Sequence, residues 1–258
     1  MNLELEGQCA LVSGAHRGTG TLIAQHLAAE GVRVWLHGFT QAEAEGAANK
    51  IDNAYPVSGD ITTDAGAASV IAAVQAHPPS ILVNNYGATV RGDWETSTAD
   101  VWLDAYQKNL LSAQRLIHGL LPAMRKRGWG RIINLGTIGS TRPNSAMPHY
   151  YAAKAALANM TVSLAKTVGP DGVRVNLVSP GLILTPEVEA AYLTRGEREG
   201  WGSSWDQIEP HVAKDIPIGR ITRREEVADL ICYLASPKAD AVHGQNIRID
   251  GGSVDVVS

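Results

Sequence analysis

The chain of 258 residues carries 22 Lys and Arg against 26 Asp and Glu, a formal charge of -4, which leaves no basic surplus for binding a nucleic-acid backbone. At 45% hydrophobic and 19% charged it has the composition of an ordinary globular protein, and its length fits one large α/β domain. Cys9 and Cys232 lie far apart in apolar runs, and neither a basic leader nor an 18-residue apolar run is visible, so the sequence predicts a cytoplasmic protein with no disulfide, no metal site and no membrane span.

Short β-type runs alternate with longer helical stretches. In chain order, strands are predicted at 10–13, 33–37, 54–57, 81–84, 131–135, 174–178 and 246–249, with helices at 20–30, 41–49, 65–76, 99–127, 150–168 and 225–235. This rhythm implies βαβ units and an α/β fold with a seven-stranded, mostly parallel sheet flanked by helices on both faces. No linker or repeat divides the chain, so 1–258 reads as a single domain. The rhythm breaks at 186–217, where Tyr192, Trp201 and Trp205 stand among charges and glycines. An insertion beside a strand's C-terminal end suits a substrate-covering segment.

Between the first strand and first helix lies Ser13-Gly14-Ala15-His16-Arg17-Gly18-Thr19-Gly20. Glycines there permit a tight turn and let backbone N–H groups approach a pyrophosphate, although the spacing departs from G-x-G-x-x-G. The end of the second strand, Trp35-Leu36-His37-Gly38-Phe39, offers no acid for the adenine ribose. Gly38 removes repulsion of a 2'-phosphate and Arg17 has the planar fork to pair with it, so NADP(H) is the expected cofactor and NAD(H) the rival.

Tyr150 and Lys154 are four residues apart on a predicted helix and share one face. A phenol titrates near 10, and a neighbouring ammonium with a cationic nicotinamide ring would favour its phenolate, suiting it to exchange a proton with a carbonyl oxygen or an alcohol. Tyr151 has no such partner. Upstream, the strand Arg131-Ile132-Ile133-Asn134-Leu135 leads to a hydroxyl at Thr137, on the edge where open α/β sheets bind ligands.

Together the glycine turn, Asn84-Asn85-Tyr86-Gly87, Asn109, Thr137, the Tyr150/Lys154 pair, Pro180-Gly181 and the terminal Asp250-Gly251-Gly252 resemble the short-chain dehydrogenase/reductase family, and within it the 3-oxoacyl-carrier-protein reductase-like members. The resemblance implies a single doubly wound, Rossmann-type domain and hydride transfer between a nicotinamide and a ketone or secondary alcohol, with Tyr150 as general acid/base. It gives Lys154 the nicotinamide ribose and Asn109 a water in the proton relay. It assigns the cofactor to Gly14, His16, Arg17, Gly18, Gly20, Gly38, Asp60, Ile61, Asn85, Gly87, Pro180, Gly181, Ile183 and Thr185, and suggests a homotetramer or homodimer. Two positions depart from the family's pattern: Thr137 replaces its serine, with Ser140 and Ser145 as other hydroxyls nearby, and Tyr86 replaces a small alanine. These departures motivate a rival reading, a dinucleotide-binding regulator or scaffold with impaired catalysis. Tyr86, Trp94, His149, Tyr192, Trp201 and Trp205 are the expected walls of the substrate pocket, and Arg142 is weighed as an anion contact.

Overall fold

A computed structural model describes residues 2–89 and 91–256. In chain order the elements are β1 (Cys9–Val12), α1 (Gly18–Ala29), β2 (Arg33–Gly38), α2 (Gln41–Ala48), β3 (Ala54–Ser58), α3 (Asp64–Ala73), β4 (Ile81–Asn84), α4 (Ala99–Tyr106), α5 (Ser112–Arg127), β5 (Gly130–Leu135), α6 (Pro148–Val168), β6 (Val173–Pro180), β7 (Ile183–Leu184), α7 (Pro186–Glu199), α8 (Trp205–Val212), β8 (Thr222–Arg223), α9 (Arg224–Ala235) and β9 (Asn246–Ile249). All seven expected strands are present and form one parallel sheet in the order β3-β2-β1-β4-β5-β6-β9. The fold is therefore a single Rossmann-type α/β domain. Every residue of β4 and β5 is buried, which explains why their sequences do not alternate apolar and polar, and why the polar Asn84, Arg131 and Asn134 within them need hydrogen-bond partners.

One face of the sheet packs Ile23, Ala24 and Leu27 of α1, Ala47 of α2 and Ile231 of α9 into a common core. The other buries Val70 of α3, Leu116 and Leu120 of α5 and Ala165 of α6. A polar ladder fixes the seating of α6. Asn84 donates to Asn134 at 2.8 Å, Asn134 donates to the Thr161 hydroxyl at 2.8 Å, and Thr161 donates to the Leu157 carbonyl. In a buried setting each such bond is directional, so the ladder fixes the face that α6 turns to the sheet at Thr161.

Two expectations need correction. The stretch 99–127 is not one regular helix: between α4 and α5 the chain makes a wide, π-type turn at Gln107–Leu111. Asn109 supplies a physical reason, since its side-chain amide donates to the carbonyl of Ala105 at 3.0 Å and competes with the backbone ladder. The region 186–217, read as a break in the pattern, contains α7 and α8, and the small parallel pair β7–β8 ties its flanks together. Gly196 and the charges disguised α7 as loop. That glycine sits where α8 packs, since a Cβ on it would lie 2.4 Å from Ile208 Cδ1.

Candidate active site

Strand order reverses between β1 and β4, and a crevice opens there at the strands' C-terminal ends. It has a volume of about 850 Å³. On one side the glycine turn adopts left-handed backbone at Gly14 (φ +60°) and Gly18 (φ +62°), conformations that a side chain would strain. Gly20 has no room for a Cβ, which would stand 2.5 Å from Asn85 Nδ2. The first turn of α1 carries no acidic residue and its N-cap, Arg17, makes no side-chain cap, so its amide groups are left for an anion.

Long-range hydrogen bonds hold this turn in place. Asn85 Nδ2 donates to the carbonyls of Ser13 and Gly14 at 3.0 and 3.2 Å, and the Tyr86 amide donates to Ser13 Oγ at 3.1 Å. His37 Nδ1 accepts from the Gly14 amide at 3.0 Å, while Nε2 donates to the Gly59 carbonyl at 2.8 Å. That pattern requires a neutral ring, and burial lowers the His37 pKa accordingly. His37 thus acts as a latch behind the turn.

Across the crevice α6 starts abruptly. Met147 holds a left-handed conformation (φ 56°) before Pro148, and its amide donates to the Gly92 carbonyl at 2.9 Å. The next turn brings Tyr150 to the crevice wall. Lys154, one turn further, is buried, and its Nζ donates to the Leu135 carbonyl at 2.7 Å. Burial pushes Lys154 down to about 8 and, with a smaller contribution from Tyr151, pushes Tyr150 up to about 12. The shift of the phenol therefore runs opposite to the expectation from the i, i+4 spacing, because desolvation dominates. Tyr151 points elsewhere: its hydroxyl accepts from Asn144 Nδ2 at 2.9 Å.

Gly87 is the junction between Lys154 and Asn109. A Cβ on it would lie 2.7 Å from Asn109 Oδ1 and 2.9 Å from Lys154 Nζ. Asn109 is fully engaged with backbone, donating to Ala88 O at 2.8 Å and accepting from the Ala88 amide at 3.1 Å. The Thr137 hydroxyl accepts from the Gly139 amide at 3.3 Å and keeps its own proton for donation. Ser140 instead donates to the Thr137 carbonyl, and Ser145 is exposed beside a separate hollow with Arg91 and Asp93.

The other expected site residues divide. Gly14, His16, Arg17, Gly18, Gly20, Asn85, Tyr86, Gly87, Gly181, Ile183 and Thr185 line the crevice. Pro180 ends β6 beside it, buried. Gly38 faces α2, where a Cβ would meet the Ala44 amide at 2.8 Å. Asp60 accepts from Thr62 in a local turn, and Ile61 is core. The aromatic residues do not converge on one wall. Tyr86 tilts against Phe39 inside the crevice, whereas His149 is buried against Trp102, on which the 72% exposed Trp94 also packs. Trp201 stacks on His211 in the α7–α8 region, Trp205 opens α8, and Tyr192 faces a separate hollow. Arg142 pairs with Asp255.

Sequence reading missed Phe39, Glu43 and Lys108 in the crevice. Glu43 had a signal in the Thr40-x-x-Glu43 capping box: its carboxylate accepts from the Phe39 and Thr40 amides, both at 3.0 Å, which holds its pKa low. Lys108 pairs with Asp104 at 2.7 Å.

The profile of the family described as Enoyl-(Acyl carrier protein) reductase matches residues 14–254. The chain belongs to the short-chain dehydrogenase/reductase family. It is an NAD(P)-dependent oxidoreductase working between a carbonyl and an alcohol. The 3-oxoacyl-[acyl-carrier-protein] reductase FabG of Escherichia coli is 33% identical over 257 residues, covering 97% of this chain and 98% of its own. Among solved structures, L-sorbose reductase from Gluconobacter frateurii, complexed with NADPH and L-sorbose, aligns over all of both chains with a TM-score of 0.93 at 30% identity. A 3-oxoacyl (acyl-carrier-protein) reductase from Agrobacterium tumefaciens with NADP bound aligns over 96% of this chain and 94% of that one, with a TM-score of 0.86 and 30% identity. Among the described residues no helix is long and apolar enough to cross a membrane and no cluster of ligands suits a metal.

Proposed function

We propose that this protein is an NADP(H)-preferring reductase of a ketone, reversible toward the secondary alcohol, with Tyr150 as the proton-transfer group. The observation that carries the reading is the buried Lys154 ammonium, held by one carbonyl, between the Gly87 loop and the helical turn that presents Tyr150 to the crevice. A buried cation with so little compensation is costly, and a functional site is where such a cost is tolerated.

The residues fit a dinucleotide. The left-handed glycines, the uncapped first turn of α1 and the absence of Cβ atoms at Gly20 and Gly87 form a cradle, and Thr185, Ile183 and Gly181 form its far wall. Arg17 lines the crevice and forms no ion pair among the described residues, leaving its fork for a 2'-phosphate, while Glu43 is turned back onto its capping amides. The solved neighbours named with NADPH and NADP support the same preference. When bound, the cofactor supplies hydride at its nicotinamide C4 and, oxidised, a positive charge that favours the phenolate.

In the chain's own part, Thr137 donates a hydrogen bond to the substrate oxygen and fixes its orientation. Tyr150, protonated at neutral pH, delivers its phenolic proton to that oxygen as charge develops on it. Lys154 supports the phenolate left behind and holds the ribose, and Asn109 keeps the Ala88 backbone in place for the proton's return path. The α7–α8 segment covers the substrate. Exposed Val162 on α6 and the small-residue faces of α5 and α6 support a homotetramer or homodimer.

The test is Tyr150→Phe assayed with NADPH against a panel of ketones. Turnover is expected to fall by roughly 10² to 10⁴ while NADPH still binds. A Phe variant with parental turnover would remove Tyr150 from the reaction.

A further inference from the structure

A second hollow, of about 570 Å³, lies between the solvent-facing side of α7 and Arg91, lined by Arg91, Tyr192, Thr194, Arg195 and Arg198. Both of its walls continue from the crevice. α7 is capped by Thr185, which lines the crevice, and Arg91 adjoins Gly92, whose carbonyl receives the amide of Met147 just before the Tyr150 turn.

Three guanidinium groups on one hollow are unexpected in a chain of net charge -4, and no carboxylate lines it. Arg198 pairs with Glu199 at 2.9 Å, but Arg91 and Arg195 have no ion pair among the described residues. Asp93, two residues from Arg91, is committed to the Thr96 hydroxyl and the amides of Glu95 and Thr96. Arg195 is held over the Trp201 ring at 5.0 Å and the Tyr192 ring at 6.0 Å, an arrangement that steadies the guanidinium and leaves its N–H edge open. Planar guanidinium forks that line one hollow suit the two oxygens of a carboxylate or phosphate.

We infer that this hollow is a subsite for an oxyanion, carboxylate or phosphate, carried by the substrate at a distance from its carbonyl. The inference rests on the reductase reading. The seven residues from Thr185 to Tyr192 span about 10 Å of helix, so a spacer of several bonds separates the two groups. Arg91 and Arg195 bind the anion, act on substrate affinity and take no part in proton transfer.

The experiment compares 5-oxohexanoate, 7-oxooctanoate and 9-oxodecanoate with their methyl esters, and 7-oxooctyl phosphate with 8-hydroxyoctan-2-one, using NADPH. A KM at least tenfold lower for one anionic member than for its neutral partner is expected, with the phosphate and carboxylate arms distinguishing the two sources. In Arg91→Gln and Arg195→Gln that advantage should vanish while kcat and the KM of the neutral compound stay within twofold. Equal KM values for charged and neutral partners, or equal shifts of both in the variants, overturn the subsite. If no ketone is reduced, the reductase reading fails separately, and titration with inorganic phosphate and with succinate decides the subsite. A saturable change in the Trp201 contribution to fluorescence, defined by difference from Trp201→Phe and lost in Arg195→Gln, upholds it; its absence with both anions overturns it.

Discussion

Gly87 and Lys154 approach so closely that a Cβ on the glycine would lie 2.9 Å from the lysine Nζ. The same Cβ would stand 2.7 Å from Asn109 Oδ1. Gly87→Ala must therefore displace two polar groups that are held by backbone partners. It is expected to cost about 1–3 kcal/mol of stability and to lower turnover tenfold or more. Steady-state kinetics beside urea unfolding checks it, and an alanine variant with parental kcat would show that the junction is not needed for catalysis.

Lys154 has a folded-state pKa of about 8 against an ordinary 10.5, caused by burial. The folded protein therefore sheds this proton first, and between pH 8 and 10.5 the unfolded chain binds more protons, so this group's contribution to stability rises with pH. The charged lysine penalises folding fully below pH 8, on the order of 3 kcal/mol. Lys154→Met should be inactive yet more stable than the parent at pH 7, with the gap narrowing toward pH 10. Urea unfolding of both at several pH values reads the difference; the thiols of Cys9 and Cys232 titrate in both and cancel. A gap that does not change with pH would refute the assignment.

Arg17 reaches into the crevice without an acidic partner among the described residues. Losing a charge-assisted hydrogen bond to a 2'-phosphate costs roughly 1.5–3 kcal/mol. Arg17→Ser should raise the KM for NADPH by about 10- to 100-fold and leave that for NADH nearly unchanged. Equal effects on both cofactors would locate the 2'-phosphate contact elsewhere.

His37 must stay neutral to accept from Gly14 and donate to Gly59, and its pKa is lowered by burial. Its stabilising contribution is complete above about pH 6.5 and is lost as the pH falls below that toward the folded-state value. His37→Gln supplies one acceptor and one donor without a titrating ring. Thermal melting from pH 7.5 to 5.5 should show a steeper loss in the parent than in the variant. His16, also lowered by burial, is common to both proteins. Parallel melting curves would leave the latch without a role in acid sensitivity.

What the sequence by itself determined was local or periodic. Seven short β-type runs, spaced by helical stretches, specify a parallel sheet because βαβ units place helices on its faces. Four-residue spacing places Tyr150 and Lys154 on one helix face, and glycines between β1 and α1 specify a turn open to phosphate. Tertiary structure alone decided the rest, because it depends on atoms distant in the chain. Burial drove Tyr150 and Lys154 in opposite directions along the pH scale, and Asn109, which widens its helix by bonding to the Ala105 carbonyl, also reaches across to Ala88. Packing against Ile208 turned a glycine-bearing, charged segment into α7, and that helix carries Arg195 to the same hollow as Arg91, more than a hundred positions earlier. Periodicity is inherited from backbone geometry, whereas desolvation and charge clustering exist only once separate elements have packed.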